Sequence, residues 1–142
     1  MSEPVRIHDG ALHLLVIIPP ASAVERLRRP ADSLGFTPRV APQTAGGTVY
    51  VFYRRAQMLA QSQKVDLATL FGHVLAHEIG HALLPFGSHS LNGIMRGEWD
   101  LKQLRAAEQG CLSFTDDQVK LIRATASAAQ NRSEGAPSVA PN

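Results

Sequence analysis

A chain of 142 residues, 44% hydrophobic and 18% charged, has the size and apolar content of one folded domain and is too apolar for wholesale disorder. Fourteen Lys and Arg against twelve Asp and Glu leave a net charge of +2, too small an excess to mark a nucleic-acid-binding surface. The single cysteine, Cys111, excludes an intrachain disulfide framework and a CxxC zinc site, so a metal bound to this chain of six histidines must be held by nitrogen and oxygen.

The longest nearly apolar run, Leu12 to Pro20, contains His13 and falls well short of the roughly 20 residues that span a membrane. It also lacks the flanks of a signal peptide. The expectation is a cytoplasmic protein without membrane contact, or a secreted one where a processed leader is missing from the sequence. Leu12 to Ile18 is rich in β-branched residues and predicts a mostly buried strand, stopped by Pro19 and Pro20. Val24 to Arg29 predicts a helical turn or two with Arg26, Arg28 and Arg29 on the solvated face. Leu34 to Val40 predicts an edge strand, where Pro38 is tolerated. Gly46 and Gly47 predict a turn, and Thr48 to Tyr53 the clearest strand of the chain.

From Asp66 the pattern becomes helical. Asp66 is the expected N-cap and Pro85 the stop, because the residue before proline is pushed out of the α region. Within the resulting helix, Leu67 to Leu84, Leu67, Leu70, Phe71, Val74, Leu75, Ile79, Ala82 and Leu83 cover most of the circumference, which predicts a helix buried in the core. Asp100 caps a short helix to Gln109, with Gly110 past its end. Thr115 and Gln118 form a capping box and Phe114 staples onto Val119, starting a last helix that runs to about Gln130. Asn131 to Asn142 is polar and predicts a disordered tail, leaving residues 1–130 as a single domain. Cys111 is expected to be a small buried residue. The predicted fold class is α+β: a small mixed sheet of about three strands packed on a buried helix, with a C-terminal helix.

The buried helix contains His77-Glu78-Ile79-Gly80-His81, an HExxH motif. Histidines four residues apart lie about 40° apart around a helix and ~6 Å along it, so both imidazoles can face one ion. Glu78 projects to the side, near enough to take a proton from a water activated by the metal without ligating it. Two imidazoles and a carboxylate on so apolar a helix would cost several kcal/mol without partners, and a metal is a partner. A catalytic zinc takes three protein ligands. His89, eight residues after His81 and beyond Pro85 and Gly87, is the third candidate, with Glu98 and Glu108 as rivals. His73, one turn before His77, lies too far along the axis and reads as a core histidine. His8 and His13 read as structural or exposed, and Trp99 as packing beside the site. Tyr50 and Tyr53 read as packing residues, with oxyanion binding as the alternative.

These residues resemble the metzincin metallopeptidases, whose HExxHxxGxxH pattern is followed by a methionine turn beneath the metal. The order of parts is shared: His77, Glu78 and His81, then a return containing Gly87, then His89, then Met95 within Gly93-Ile94-Met95-Arg96. Metzincins place glycine three and histidine six residues after the second histidine; here Leu84 and Gly87 stand there and the histidine comes two residues later. HEIGHALLPFGSHSLNGIMRGEW is also similar to small bacterial predicted metallopeptidases with an HExxH, SHS and GIMR pattern. That similarity takes in about Leu34 to Thr125. The resemblance implies a zinc-dependent peptidase with a minimal metzincin-like fold, Met95 in the methionine turn, and a peptide or protein substrate lying along the sheet edge.

The mechanism expected from these residues is hydrolysis in which Zn2+ on His77, His81 and His89 activates water and Glu78 acts as general base. Two alternatives remain at this level. One is a zinc-binding regulatory or binding module without peptidase activity. The other is a metal-dependent ribonuclease, disfavoured by the low charge and by Glu78. The oligomeric state is not legible.

Overall fold

The computed structural model describes residues 12–38, 46–85 and 89–135. Among them the fold is mixed α+β, with three strands and five helices: β1 (His13–Ile17), α1 (Ala21–Arg26), β2 (Gly35–Phe36), β3 (Gly46–Val51), α2 (Tyr53–Gln63), α3 (Leu67–Leu83), α4 (Leu101–Glu108) and α5 (Asp116–Glu134). The strand order is β1-β3-β2, with β1 parallel and β2 antiparallel to β3. The mixed sheet expected from the sequence is present. No helix among the described residues is long and apolar enough to cross a membrane.

The core lies between β3 and α3. Val49 and Val51 alternate onto the buried face of the central strand, and Leu70 and Val74, one helical turn apart, meet them with Ala60, Val65 and Leu104. A second cluster, of Leu84, Ile94, Met95, Ala107 and Leu112, forms at the other end of α3, and Trp99 packs against both. Local chemistry sets the helix limits. The Asp66 carboxylate accepts a hydrogen bond from Thr69 N at 2.7 Å, which holds its pKa below the usual value, and Leu84 ends α3 in extended backbone before Pro85. The predicted capping box of Thr115 with Gln118 is formed, and Asp100, predicted as a cap, forms a second capping box with Gln103.

Several expectations are corrected. Gly46 and Gly47 belong to β3 and pair with His13 and Leu14; Gly47 takes φ 132°, which glycine alone adopts without strain, so the pair extends the strand and does not turn it. The strand ends at Val51, not Tyr53. Phe52 turns the chain, and Tyr53 opens α2, a helix the sequence analysis does not anticipate. The signal was there in Ala56 and Ala60, four residues apart and both buried. The edge strand is only Gly35–Phe36, and Arg39 and Val40 lie outside the described residues. Helix α5 continues past Gln130 to Glu134 because no breaker precedes Gly135; residues 136–142 lie outside the described set. Cys111 is exposed, since the chain reaches it straight from the turn at Gly110, where φ is +69°.

Two glycines of α3 make opposite predictions. A Cβ built at the exposed Gly72 meets nothing within 4 Å, whereas at Gly80 it collides with Met95 Sδ and comes within 2.9 Å of Phe114. Gly72→Ala should raise unfolding stability by about 0.5–1 kcal/mol through helix propensity. Gly80→Ala should lower it by about 1–3 kcal/mol through overpacking, with urea unfolding as the measurement for both.

Candidate metal centre

Helix α3 projects His77 and His81 from the same side, and their Nε2 atoms are 3.0 Å apart. The ring of His89 lies 4.7 Å from that of His81 and 5.5 Å from that of His77, centroid to centroid. One nitrogen from each of the three rings falls within 4.8 Å of the others. Two nitrogens on a tetrahedral zinc at about 2.05 Å stand roughly 3.3 Å apart, so the donor set and its spacing fit one ion with small adjustment. His77 and His81 are half-buried and His89 is exposed.

The chain after the helix positions this group. The Ile94 carbonyl can only accept, so the 2.6 Å contact from His77 Nδ1 places the proton on Nδ1 and leaves the Nε2 lone pair toward His81. Trp99 Nε1 donates to the same carbonyl at 3.3 Å, and its ring stands edge-on to His77. Burial lowers the pKa of His77, as does the charge of His89, against the opposing effect of the Ile94 bond; the net result favours the neutral imidazole that a metal requires.

Ile94 is itself held, by a 2.8 Å bond from its N–H to the Ser113 carbonyl. The turn that carries it passes through Gly93 at φ +76°, where a Cβ would strike the same carbonyl at 2.6 Å. Ser90 N donates to Met95 O at 3.0 Å, and Gln118 Nε2 donates to Ser90 Oγ at 3.1 Å, tying the residue next to His89 to α5. Gly97 lies against the His89 ring, where a Cβ would sit 3.1 Å from Nδ1. Met95 is 0% exposed, with its sulfur against Gly80 of α3. Gly87, part of the predicted return, lies outside the described residues.

Glu78, about 60° around the helix from His81, is buried against the sheet edge and 6% exposed. Its carboxyl Oε2 lies 2.7 Å from Thr37 Oγ1, which is also 2.9 Å from the Glu78 carbonyl oxygen. Burial pushes the Glu78 carboxyl up to about 7, while the Thr37 bond and the Arg29 charge pull it back. Arg29 stacks its guanidinium 3.4 Å over the Phe36 ring on the same edge of the sheet.

The remaining candidates stand apart. His73 bonds the Thr69 carbonyl of its own helix through Nδ1 at 2.7 Å and lines a shallow groove with Gly72, Leu112 and Phe114. His13 is exposed on β1, and His8 lies outside the described residues. Glu98 is exposed, and Glu108 accepts from Arg105 at 2.7 Å and from Asp66 N at 3.3 Å. Neither glutamate joins the group of three histidines. Tyr50 stacks on Phe36, and Tyr53 meets Phe71 edge-on. Thr37, Gly35 and the Ile94 carbonyl were missed by the sequence analysis. No local pattern marks the first two, and a backbone carbonyl carries no side-chain signal.

Comparisons with protein-family models, with curated proteins and with solved structures return no significant match. The class defined by the fold and the site is therefore a mixed α+β domain whose three histidines lie close enough to bind a metal ion.

Titration with zinc, followed by dialysis and metal analysis, should give about one ion per chain. His77→Ala, His81→Ala and His89→Ala should each weaken retention by at least about tenfold, by loss of a ligand. His73→Ala, Glu98→Ala and Glu108→Ala should leave it within about threefold of wild type, because none of these groups joins the three.

Proposed function

We propose that the chain is a zinc-dependent peptidase of metzincin-like type. The observation that carries this reading is the pairing of a three-histidine group with a buried glutamate on the same helix, adjacent in sequence to one of the histidines. A purely structural ion would need a closed set of ligands and no base beside it. Three histidines leave a fourth position open.

His77, His81 and His89 would hold the ion through ring nitrogens, with His77 oriented by the Ile94 carbonyl. Bound there, zinc supplies a Lewis acid that acidifies water and polarises a scissile carbonyl. Glu78 takes the proton from the attacking water and returns it to the leaving amine. A carboxyl with a pKa near 7 is suited to both transfers at neutral pH. Met95 floors the site, filling the space that Gly80 leaves in α3. A peptide substrate would run along β2, the sheet edge that touches α3, pairing main chain to main chain.

Zinc-loaded protein should cleave a quenched-fluorescent peptide mixture and lose that activity to a chelator. Glu78→Gln should retain zinc and lose about 10²- to 10⁴-fold in kcat, the range of a general acid–base contribution. Zinc retention with no cleavage by the wild-type chain would replace the peptidase with a zinc-binding module.

A further inference from the structure

The short edge strand β2 and the residue after it hold Glu78 from a distance of some forty positions in sequence. Two independent contacts converge on the carboxyl. Thr37 Oγ1 lies 2.7 Å from Oε2, and Gly35 lies so close that a Cβ there would be 2.7 Å from both Cγ and Oε1. No positive φ is required at Gly35, so the absence of a side chain answers to the carboxyl and not to the backbone. On its other side Gly35 pairs with Val51, a buried residue of the central strand, so this edge is anchored to the core.

We infer that Thr37, with the space left by Gly35, is the positioning residue for the Glu78 carboxyl. The proposal rests on the peptidase reading for the step that it serves. A hydroxyl has one proton to give and lone pairs to receive. Thr37 donates that proton to Oε2 at 2.7 Å, with the Glu78 carbonyl oxygen 2.9 Å away as a second acceptor. A proton taken from water arrives on Oε1 and leaves Oε2 an acceptor, so Thr37 keeps hold of Oε2 before and after that transfer. A general base that receives a proton and then delivers it is served by a partner that fixes the oxygen taking no part in the transfer. Held in this way, Oε2 is committed to Thr37, and Oε1 is the oxygen left to meet water.

The test uses the full chain as Thr37→Val, Thr37→Ser and Gly35→Ala, with zinc content, kcat and KM measured on the quenched-fluorescent peptide mixture. Thr37→Val and Gly35→Ala should lower kcat by about tenfold to a hundredfold, the scale expected of a misplaced reacting group. KM and zinc content should stay within about twofold of wild type, and Thr37→Ser should recover kcat to within about threefold, since it restores the hydroxyl. Wild-type kcat in Thr37→Val, or no recovery in Thr37→Ser, would overturn the assignment. A second measurement does not depend on turnover. In urea unfolding, Thr37→Val should lower the folding constant about fivefold in the Glu78 chain and less than about twofold in a Glu78→Ala background. Equal losses in both backgrounds would overturn the Thr37 contact, whereas coupling in a wild-type chain that cleaves no peptide would overturn the peptidase reading alone.

Discussion

The hydrogen bond from His77 Nδ1 to the Ile94 carbonyl is the contact on which the histidine arrangement depends. A helix can place two imidazoles on one side, but it fixes neither the ring rotation nor the tautomer. The carbonyl does both, because it offers only an acceptor and lies in the protein interior. Its own position is secured by the Ile94 N–H on the Ser113 carbonyl and by the burial of Ile94 and Met95. One turn therefore serves two purposes: the carbonyl of residue 94 orients the His77 ring, and the side chain of residue 95 seats the turn against Gly80. The small residue in the middle of HExxH is what allows that close approach.

The neighbouring face of α3, which carries Glu78, solves a different problem. A carboxyl that is 6% exposed is costly as an ion, and burial shows its effect in the raised pKa of Glu78. Among the described residues the fold gives it no ion pair. It supplies a hydroxyl at hydrogen-bond distance and a cation, Arg29, whose charge lowers the pKa less than the Thr37 bond does. Arg29 is kept in place by stacking on Phe36, so the β2 edge holds both moderating groups.

Much of this was legible in the sequence where the determining interactions are local. Asp66, Pro85 and the two capping boxes act within a few residues of themselves, so the limits of α3, α4 and the start of α5 follow from the chain alone. The spacing of His77 and His81 fixes their common side, and His89 was within reach by chain length. The rest depends on contacts between distant segments. Thr37 meets Glu78 across 41 residues, and Gly35 is indistinguishable in sequence from a turn glycine until α3 is packed on it. The pair Gly46-Gly47 was misleading for a related reason: glycine permits a turn, but pairing with β1 decides that it is strand. In α2, Tyr53, which reads as the end of a strand, opens a helix because Phe52 is buried and turns the chain, a tertiary effect that β-propensity does not include.

The small size of the sheet bears on what such a site requires. The helix needs only one apolar surface to lie on, and Val49 and Val51 of the central strand provide it. β2 then needs no more than two paired residues, because its role at the site is to bring Gly35 and Thr37 to Glu78, and the pairing of Gly35 with Val51 suffices to anchor it. The segment 90–96 does the corresponding work for the histidines. The three histidines are thus graded in exposure, with His77 and His81 half-buried and His89 exposed. An ion bound by two histidines of the helix and one at the surface would keep its remaining position toward solvent. A substrate could reach that position without crossing the core, which a larger sheet would otherwise have to be shaped to allow.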